Sequence, residues 1–353
     1  MTEGFRRAGF QTRLAIEFDA MAAKTFVHNH PDTPLMLRDI RSVSDDDLRS
    51  ALRPDAVDVL CGGPPCQGFS LAGQRLTDDP RNRLYLEFVR VLRALSPRFF
   101  VFENVSGIAS MAGGAVLAAI VQQFREAGYH CTYKVLNAAD YGVPQARPRF
   151  FLIGSRDAEP YRFPLPSHVA VPQGDLFSAM ANRHLTVWDA LSDLPRLEQG
   201  EGAEDMQTAG SPDTAYQAAR RGTRQPGWLF NHRATGHSDV IVRRYAAIPE
   251  GGDNSQVPVE LRTKKINVFK LNRLKPARTV TCNHRTDLLH PVMPRGTTVR
   301  EAARLQSFDD DYRFFGNLTR KAKWVTQDDQ VGNAVPPLLA EAIARSLLAC
   351  GFD

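Results

Sequence analysis

Over the first 154 residues, short apolar runs alternate with segments of helical period, and this alternation constrains the fold more than any other feature. LAIEF (14–18) reads as a strand, and DAMAAKTFVHNH after it reads as a helix. AVDVLC (56–61) is an apolar run that ends in a glycine and proline cluster. LYLEFVRVLRAL (84–95) has helical period, and RFFVFEN (98–104) reads as a buried strand. AVLAAIVQQFREAG (115–128) is a helix closed by Gly128. CTYKVLNA (131–138) and RFFLIG (149–154) are further strands. Strands alternating with helices imply βαβ units. The expected class is therefore α/β with a mostly parallel sheet.

The character changes after about residue 156. FPLPSH (163–168) breaks any regular element, and residues 197–227 are rich in Gly, Glu, Gln, Pro and Ser. Residues 219–245 carry Arg220, Arg221, Arg224, Arg233, Arg243 and Arg244, with Trp228, Phe230 and Tyr245 interleaved. PPLLAEAIARSLLA (336–349) is helical again and starts with proline at its N-terminal edge. We divide the chain into residues 1–158, a loop-rich module over 159–325, and a returning C-terminal segment over 326–353.

Composition matters chiefly for what it excludes. No stretch of the 353 residues approaches the ~20 apolar residues of a membrane span. No apolar run follows the charges of MTEGFRRAGF, so a secretory signal is not expected. The five cysteines are scattered and none has zinc-ligand spacing, which points to a reducing compartment and to no metal site. The net charge of +5 permits a polyanionic partner without demanding one.

Three short segments carry chemistry. In GGPPCQGFS (62–70) a strand ends and a rigid turn presents Cys66 at the carboxyl edge of the sheet. The residues alone fit a reactive thiol or a turn whose cysteine is incidental. ENV (103–105) ends the next strand, so Glu103 emerges at the same edge. It suits an acid beside a nucleophile, or a helix N-terminal acid. QARPRFFLIG (145–154) sets Arg147 and Arg149 two apart, on one face, before an apolar strand. Paired guanidinium groups there suit carbonyl or phosphate recognition, or are merely solvated. Glu17, ending LAIEF, stands where dinucleotide-type folds place a ribose-binding acid, but no GxG turn precedes it.

The ordered set AIEFD, DI (39–40), GGPPCQGFS, ENV, QARPRFFLIG, RTVTCN, EAARLQSFDDDYRF and QVGNAVPP resembles the DNA cytosine-5 methyltransferase family. The match runs to about residue 156 and again from about 273 to 345. The resemblance implies an S-adenosylmethionine-dependent, Rossmann-like methyltransferase sheet with a smaller, loop-rich target-recognition domain. It implies transfer of a methyl group from S-adenosyl-L-methionine to carbon 5 of a flipped-out cytosine in a short DNA sequence. Cys66 resembles the nucleophile that attacks carbon 6. Glu103 matches the acid that holds ring nitrogen 3 and the exocyclic amine. Arg149, with Arg147 beside it, matches the arginines that hold the cytosine carbonyl and brace the site. Glu17 resembles the ribose-binding acid, Phe18 the adenine-stacking neighbour, and Asp39 with Ile40 the adenine-reading pair. Pro64, Leu84, Asn333 and Val335 fall at other cofactor-contact positions. Gln67 and Ser70 lie in the loop that closes over DNA, and Arg233, Arg243 and Arg244 are candidate DNA contacts.

The family's usual first strand and Phe-x-Gly-x-Gly turn have no counterpart here; TEGFRRAGF resembles the helix that follows them. Two explanations compete, and we favour the first: a start placed at an internal methionine, or a truncated, inactive DNA-binding remnant. A transfer RNA substrate is a further alternative, although that branch of the family tends to read PPCQPFT. The resemblance also implies double-stranded DNA as partner, a monomer and a cytoplasmic bacterial or phage setting, and it leaves room for a cognate restriction endonuclease acting on the same sequence without necessarily touching this chain.

Overall fold

The computed structural model describes residues 1–53, 56–65, 83–157, 160–170, 182–208, 210–265, 267–318 and 324–351. Its architecture is built around the strand β4 (Phe99–Val105). Phe99, Phe100, Val101 and Phe102 are all at most 1% exposed, which requires cover on both faces of the sheet. Period two divides them. Phe99 and Val101 pack with Phe151, Ile153 and the C-terminal Leu339 and Ile343, whereas Phe100 and Phe102 pack with Phe150, Leu152, Leu92 and Phe124. Each such side chain contributes roughly 1.5–3 kcal/mol on burial, enough to offset about 1–2 kcal/mol of backbone ordering per residue.

The other strands of this half are β1 (Ala15–Glu17), β2 (Leu35–Leu37), β3 (Val59–Gly62), β5 (His130–Asn137) and β6 (Pro148–Ser155). Helices α1 (Thr2–Arg7), α2 (Ala20–Asn29), α3 (Asp45–Leu52), α4 (Arg83–Leu95) and α5 (Ala115–Glu126) intervene. One sheet has the order β3-β4-β6-β5, with β3 parallel to β4. β6 runs antiparallel to both neighbours, which corrects the expectation of βαβ units throughout. The physical reason is the connection: β5 reaches β6 through a short 3-10 turn closed by Gly142 at φ +77°, with no crossover helix.

β1 and β2 form a separate parallel ribbon. Among the described residues β1 pairs only with β2, and β3 only with β4. The two blocks nevertheless share a layer, because Ile16 and Leu60 pack in one cluster with Val43, Leu48 and Val91. β3 is less covered than β4, with Cys61 exposed.

A second core is built around α10 (Val299–Leu305), whose residues are all buried. Its entry is a reciprocal cap. The Thr298 hydroxyl accepts from Glu301 N, and the Glu301 carboxylate accepts from Thr298 N and from Arg295. Packed around it are α6 (Val187–Leu191), α7 (Ala215–Arg220), α11 (Gln327–Asn333) and the antiparallel pair β9 (Gly202–Gln207) and β10 (Trp228–Arg233). The two-residue strands β7 (His168–Val169) and β8 (Asn182–Arg183) pair parallel, as do β11 (Phe269–Lys270) and β12 (Leu288–Leu289), and α9 (His284–Asp287) leads into β12. A smaller cluster of Tyr245, Ile248, Val257, Val268 and Leu289 seats α8 (Asp239–Ala247).

The last helix, α12 (Pro337–Leu348), returns to the first sheet and packs on α1. The approach is close. A Cβ on Gly4 would lie 2.4 Å from the Pro337 carbonyl oxygen and 2.6 Å from the Ala340 Cβ, so only glycine fits there.

Candidate active site

β3 delivers the segment Gly63–Pro65 to the carboxyl edge of the sheet, one strand away from Glu103. The two are in intimate contact: a Cβ on Gly63 would stand 2.8 Å from Glu103 Oε2. Asn104 donates its Nδ2 to the Pro64 carbonyl at 2.9 Å and so fixes the turn from the neighbouring strand. Cys66, Gln67 and Ser70 follow directly but lie outside the described residues.

Glu103 is reached from the other side by β6. The register Glu103↔Phe151 and Val105↔Arg149 places Arg149 beside it, and Arg149 Nε lies 3.2 Å from Glu103 Oε1, both side chains 12% exposed. Burial pushes the Glu103 carboxyl above the usual range, while the charges of Arg149, Arg147 and the amino terminus pull it back. A carboxyl poised this way can hold a proton for a ring nitrogen and still accept from an amine.

Arg147 is fully buried and has a different task. Its Nη1 donates to the Val280 carbonyl at 2.7 Å, and its Nη2 donates to Gly332 at 2.6 Å and Ala334 at 3.1 Å. Its full burial keeps it from solvent, whereas Arg149 is the arginine paired with Glu103. Arg147 instead ties the catalytic edge to two distant segments. Gln145 does the same. Its Oε1 accepts from Val280 N at 2.8 Å, and its Nε2 donates to the Leu305 carbonyl at 3.1 Å. Sequence reasoning passed over Gln145, whose only signal was its place beside the two arginines.

The adenosine-side candidates follow the carboxyl ends of β1 and β2. Glu17 turns one carboxylate oxygen back onto Phe18 N and Asp19 N at 2.8 and 2.9 Å, leaving the other for a hydroxyl pair. The Phe18 ring is 66% exposed, an open face for stacking. Arg41 hydrogen-bonds the Asp39 carboxylate and holds it down at about 2, and Ile40 packs with Ile16. Leu84 is half-buried in the first turn of α4. Val335 sits in the core at 6% exposure, whereas Asn333 is exposed and accepts from the Cys282 thiol at 3.3 Å. An open ring, a half-free carboxylate and a capped acid fit the adenosine end of S-adenosylmethionine.

Comparison with known proteins decides the family. The model of the C-5 cytosine-specific DNA methylases matches residues 1–349. Type II methyltransferase M1.HphI of Haemophilus parahaemolyticus is 39% identical, with 98% of this chain and 82% of the relative aligned. Type II methyltransferase M.DdeI of Desulfomicrobium norvegicum is 38% identical over 98% of this chain and 85% of its own length. The chain belongs to the C-5 cytosine-specific DNA methylases. A DNA modification methyltransferase encoded within an E. coli prophage superimposes with a TM-score of 0.77 at 27% identity, over 99% of this chain and 95% of that one. S-adenosylmethionine is accordingly the methyl donor.

In this methylase the arginine-rich segment is not one surface. Arg220 donates to the Ser307 carbonyl at 2.8 Å and faces Asp309. Arg221 pairs with Asp193 at 2.6 Å, and Arg224 pairs with Glu3 and Asp311. Arg7 pairs with Asp309 at 2.8 Å, so the ions join α1 to the second core. Phe230 and Tyr245 are buried. Arg233 and Arg243 remain exposed, and Arg244 is half-buried with its Nε on the Leu261 carbonyl.

Proposed function

We propose that the sheet edge formed by Gly63–Pro65 and Glu103 carries out the family's reaction, cytosine carbon-5 methylation in DNA, with Cys66 as nucleophile. The observation that carries this reading is the buried Glu103–Arg149 pair in contact with the turn that leads into Cys66. The Cys66 thiolate adds to carbon 6 of a cytosine lifted out of the duplex, at a cost of a few kcal/mol for unstacking. Glu103 gives ring nitrogen 3 its proton as the ring gains electrons, and carbon 5 becomes an enamine carbon. Arg149 steadies the Glu103 carboxylate left behind and reaches the carbonyl oxygen. S-adenosylmethionine, when bound, supplies a methyl group as an electrophile and leaves as the neutral thioether. Loss of the carbon-5 proton to a base then expels the Cys66 thiolate, and ring nitrogen 3 returns its proton to Glu103, which restores the ring. Glu17 would hold the ribose hydroxyls, Phe18 the adenine face, and Asp39 with Ile40 the adenine edge. Pro64, Leu84, Asn333 and Val335 would complete the surround.

The segment 159–325 acts as the target-recognition module, with Gln67, Ser70, Arg233, Arg243 and Arg244 toward DNA. The bacterial relatives bear the Type II designation, which supports reading this chain as a monomeric modification enzyme that shares its target sequence with an endonuclease. No helix among the described residues is long and apolar enough to cross a membrane. The relatives favour neither an inactive remnant nor a transfer RNA substrate.

The test is covalent capture. DNA made with 5-fluorocytosine has no proton to lose at carbon 5, so the adduct should persist through denaturing electrophoresis. Cys66→Ala should abolish the adduct and methyl transfer together. A Cys66→Ala protein that still methylates DNA at the normal rate would end this reading.

A further inference from the structure

Five arginines lie between residues 244 and 285, and four of them are committed to protein acceptors. Arg244 donates to the Leu261 carbonyl, Arg262 to Val257, Arg273 to Glu250 and Arg285 to Asp328. Arg278 stands apart. Its guanidinium lies 3.6 Å from the centroid of the Phe269 ring, and among the described residues it donates no hydrogen bond and forms no ion pair within 4.0 Å. Asp253 is the carboxylate that feels its charge, but that group is bonded to Ser255 N and Ser255 Oγ. Stacking on a ring restrains a guanidinium without consuming its five donors.

The backbone that presents Arg278 is equally fixed. Ala277 bridges Gln145 and accepts from Ala146 N at 2.8 Å. The Thr279 hydroxyl donates to the Ala146 carbonyl at 2.9 Å. Val280 is held at N by Gln145 and at O by Arg147. Ala277 and Val280 are 1% and 0% exposed, whereas Arg278 points to solvent. Arg278 is therefore anchored to the chain that begins β6 and carries Arg149 to Glu103. A preset, unspent fork at the rim of a site that must hold a distorted duplex suits an anionic, bidentate acceptor.

We propose that Arg278, stacked on Phe269, is a positioning residue that grips a DNA phosphate beside the flipped cytosine. The inference rests on DNA as the substrate. Phosphate is favoured over a base edge because the group lies at the exposed rim, and phosphate contacts dominate such interfaces.

The experiment uses the full chain and a fluorescent duplex of mixed sequence, with affinity measured across salt concentrations. Arg278→Ala should bind roughly tenfold more weakly and lower the slope of log K against log salt by about 0.9, the share of one phosphate. Arg278→Lys should keep the slope and recover part of the affinity. Phe269→Leu should also keep the slope while weakening binding, because it frees the fork without removing its charge. Arg273→Ala, exposed but already paired, should leave slope and affinity as they were. An unchanged slope in Arg278→Ala overturns the proposal, as does an equal fall in Arg273→Ala. A changed methylation sequence on a plasmid, read by bisulfite conversion, overturns it in favour of a base contact. A wild-type chain with no salt-dependent DNA binding would instead remove the DNA reading itself.

Discussion

The catalytic edge and the second core both bury arginines, but they neutralise them in opposite ways. Arg304, fully buried, is enclosed by Asp310 and Asp193, with donor distances between 2.6 and 3.3 Å. Arg147, equally buried, has three carbonyls and, among the described residues, no carboxylate ion pair. A charge cancelled on the spot is electrostatically silent a few ångströms away. A charge solvated by dipoles keeps its field. The Arg147 charge is felt at Glu103, where it favours the ionised form against burial. The second core uses arginine as a fastener, and the catalytic edge uses the same residue as fastener and field source together.

The largest expected effect lies in the second core. Arg304→Ala leaves Asp310 buried without its ion-pair partner and Asp193 with Arg221 alone, and should cost about 3–5 kcal/mol of stability, read as a lower urea midpoint. A midpoint unchanged from wild type would remove the idea of local cancellation. Next is Glu103→Gln, expected to slow methyl transfer about a thousandfold. Its pH profile is as informative as its rate. Burial raises the Glu103 pKa, so the neutral acid survives above the ordinary carboxylate range, and the wild-type rate should fall as pH climbs through that raised value. An amide cannot titrate, so the same limb should be flat in the variant.

Arg147→Met should lower kcat/KM about a hundredfold through misplacement of the edge. It should also move the Glu103 limb to higher pH, since removing a nearby positive charge raises a carboxyl's pKa further. Arg147→Lys, which keeps the charge, should leave the limb in place. If the two variants shift it equally, Arg147 is a fastener alone. The smallest effect is expected at the exposed Arg233, where Ala should change stability by less than about 0.5 kcal/mol in thermal unfolding and act only on DNA affinity.

Much of the first sheet was legible because its signals are local. FFVF can only be a strand covered on both faces, and LYLEFVRVLRAL has a helix's stripe; β4 and α4 follow. Glu103 and Arg149 were legible for the same reason, as residues at strand ends that share one edge. The antiparallel β6 was not, because nothing in the short turn at 138–142 states its direction. The fate of Arg220, Arg221 and Arg224 was not legible either. Their partners are Asp309, Asp193, Glu3 and Asp311, distant in the chain, and an arginine reads alike whether it will meet a phosphate or an aspartate. Arg278 was hidden in a different way. Its distinction is that, among the described residues, it has an aromatic ring and no polar acceptor, and that is visible only when the neighbours' partners are known.

The close seat of α1 on α12 has a consequence for how the molecule is made. Gly4 touches Pro337 and Ala340, and Glu3 awaits Arg224, so the helix at one end of the chain has its packing surface at the other. A ribosome adding ~5–20 residues per second reaches α12 on the order of tens of seconds after it has made α1. Throughout that interval Phe5 and Ala8 have no finished surface to cover them. The packing of α1 therefore completes only once the last helix has been made, and the catalytic half matures late in synthesis.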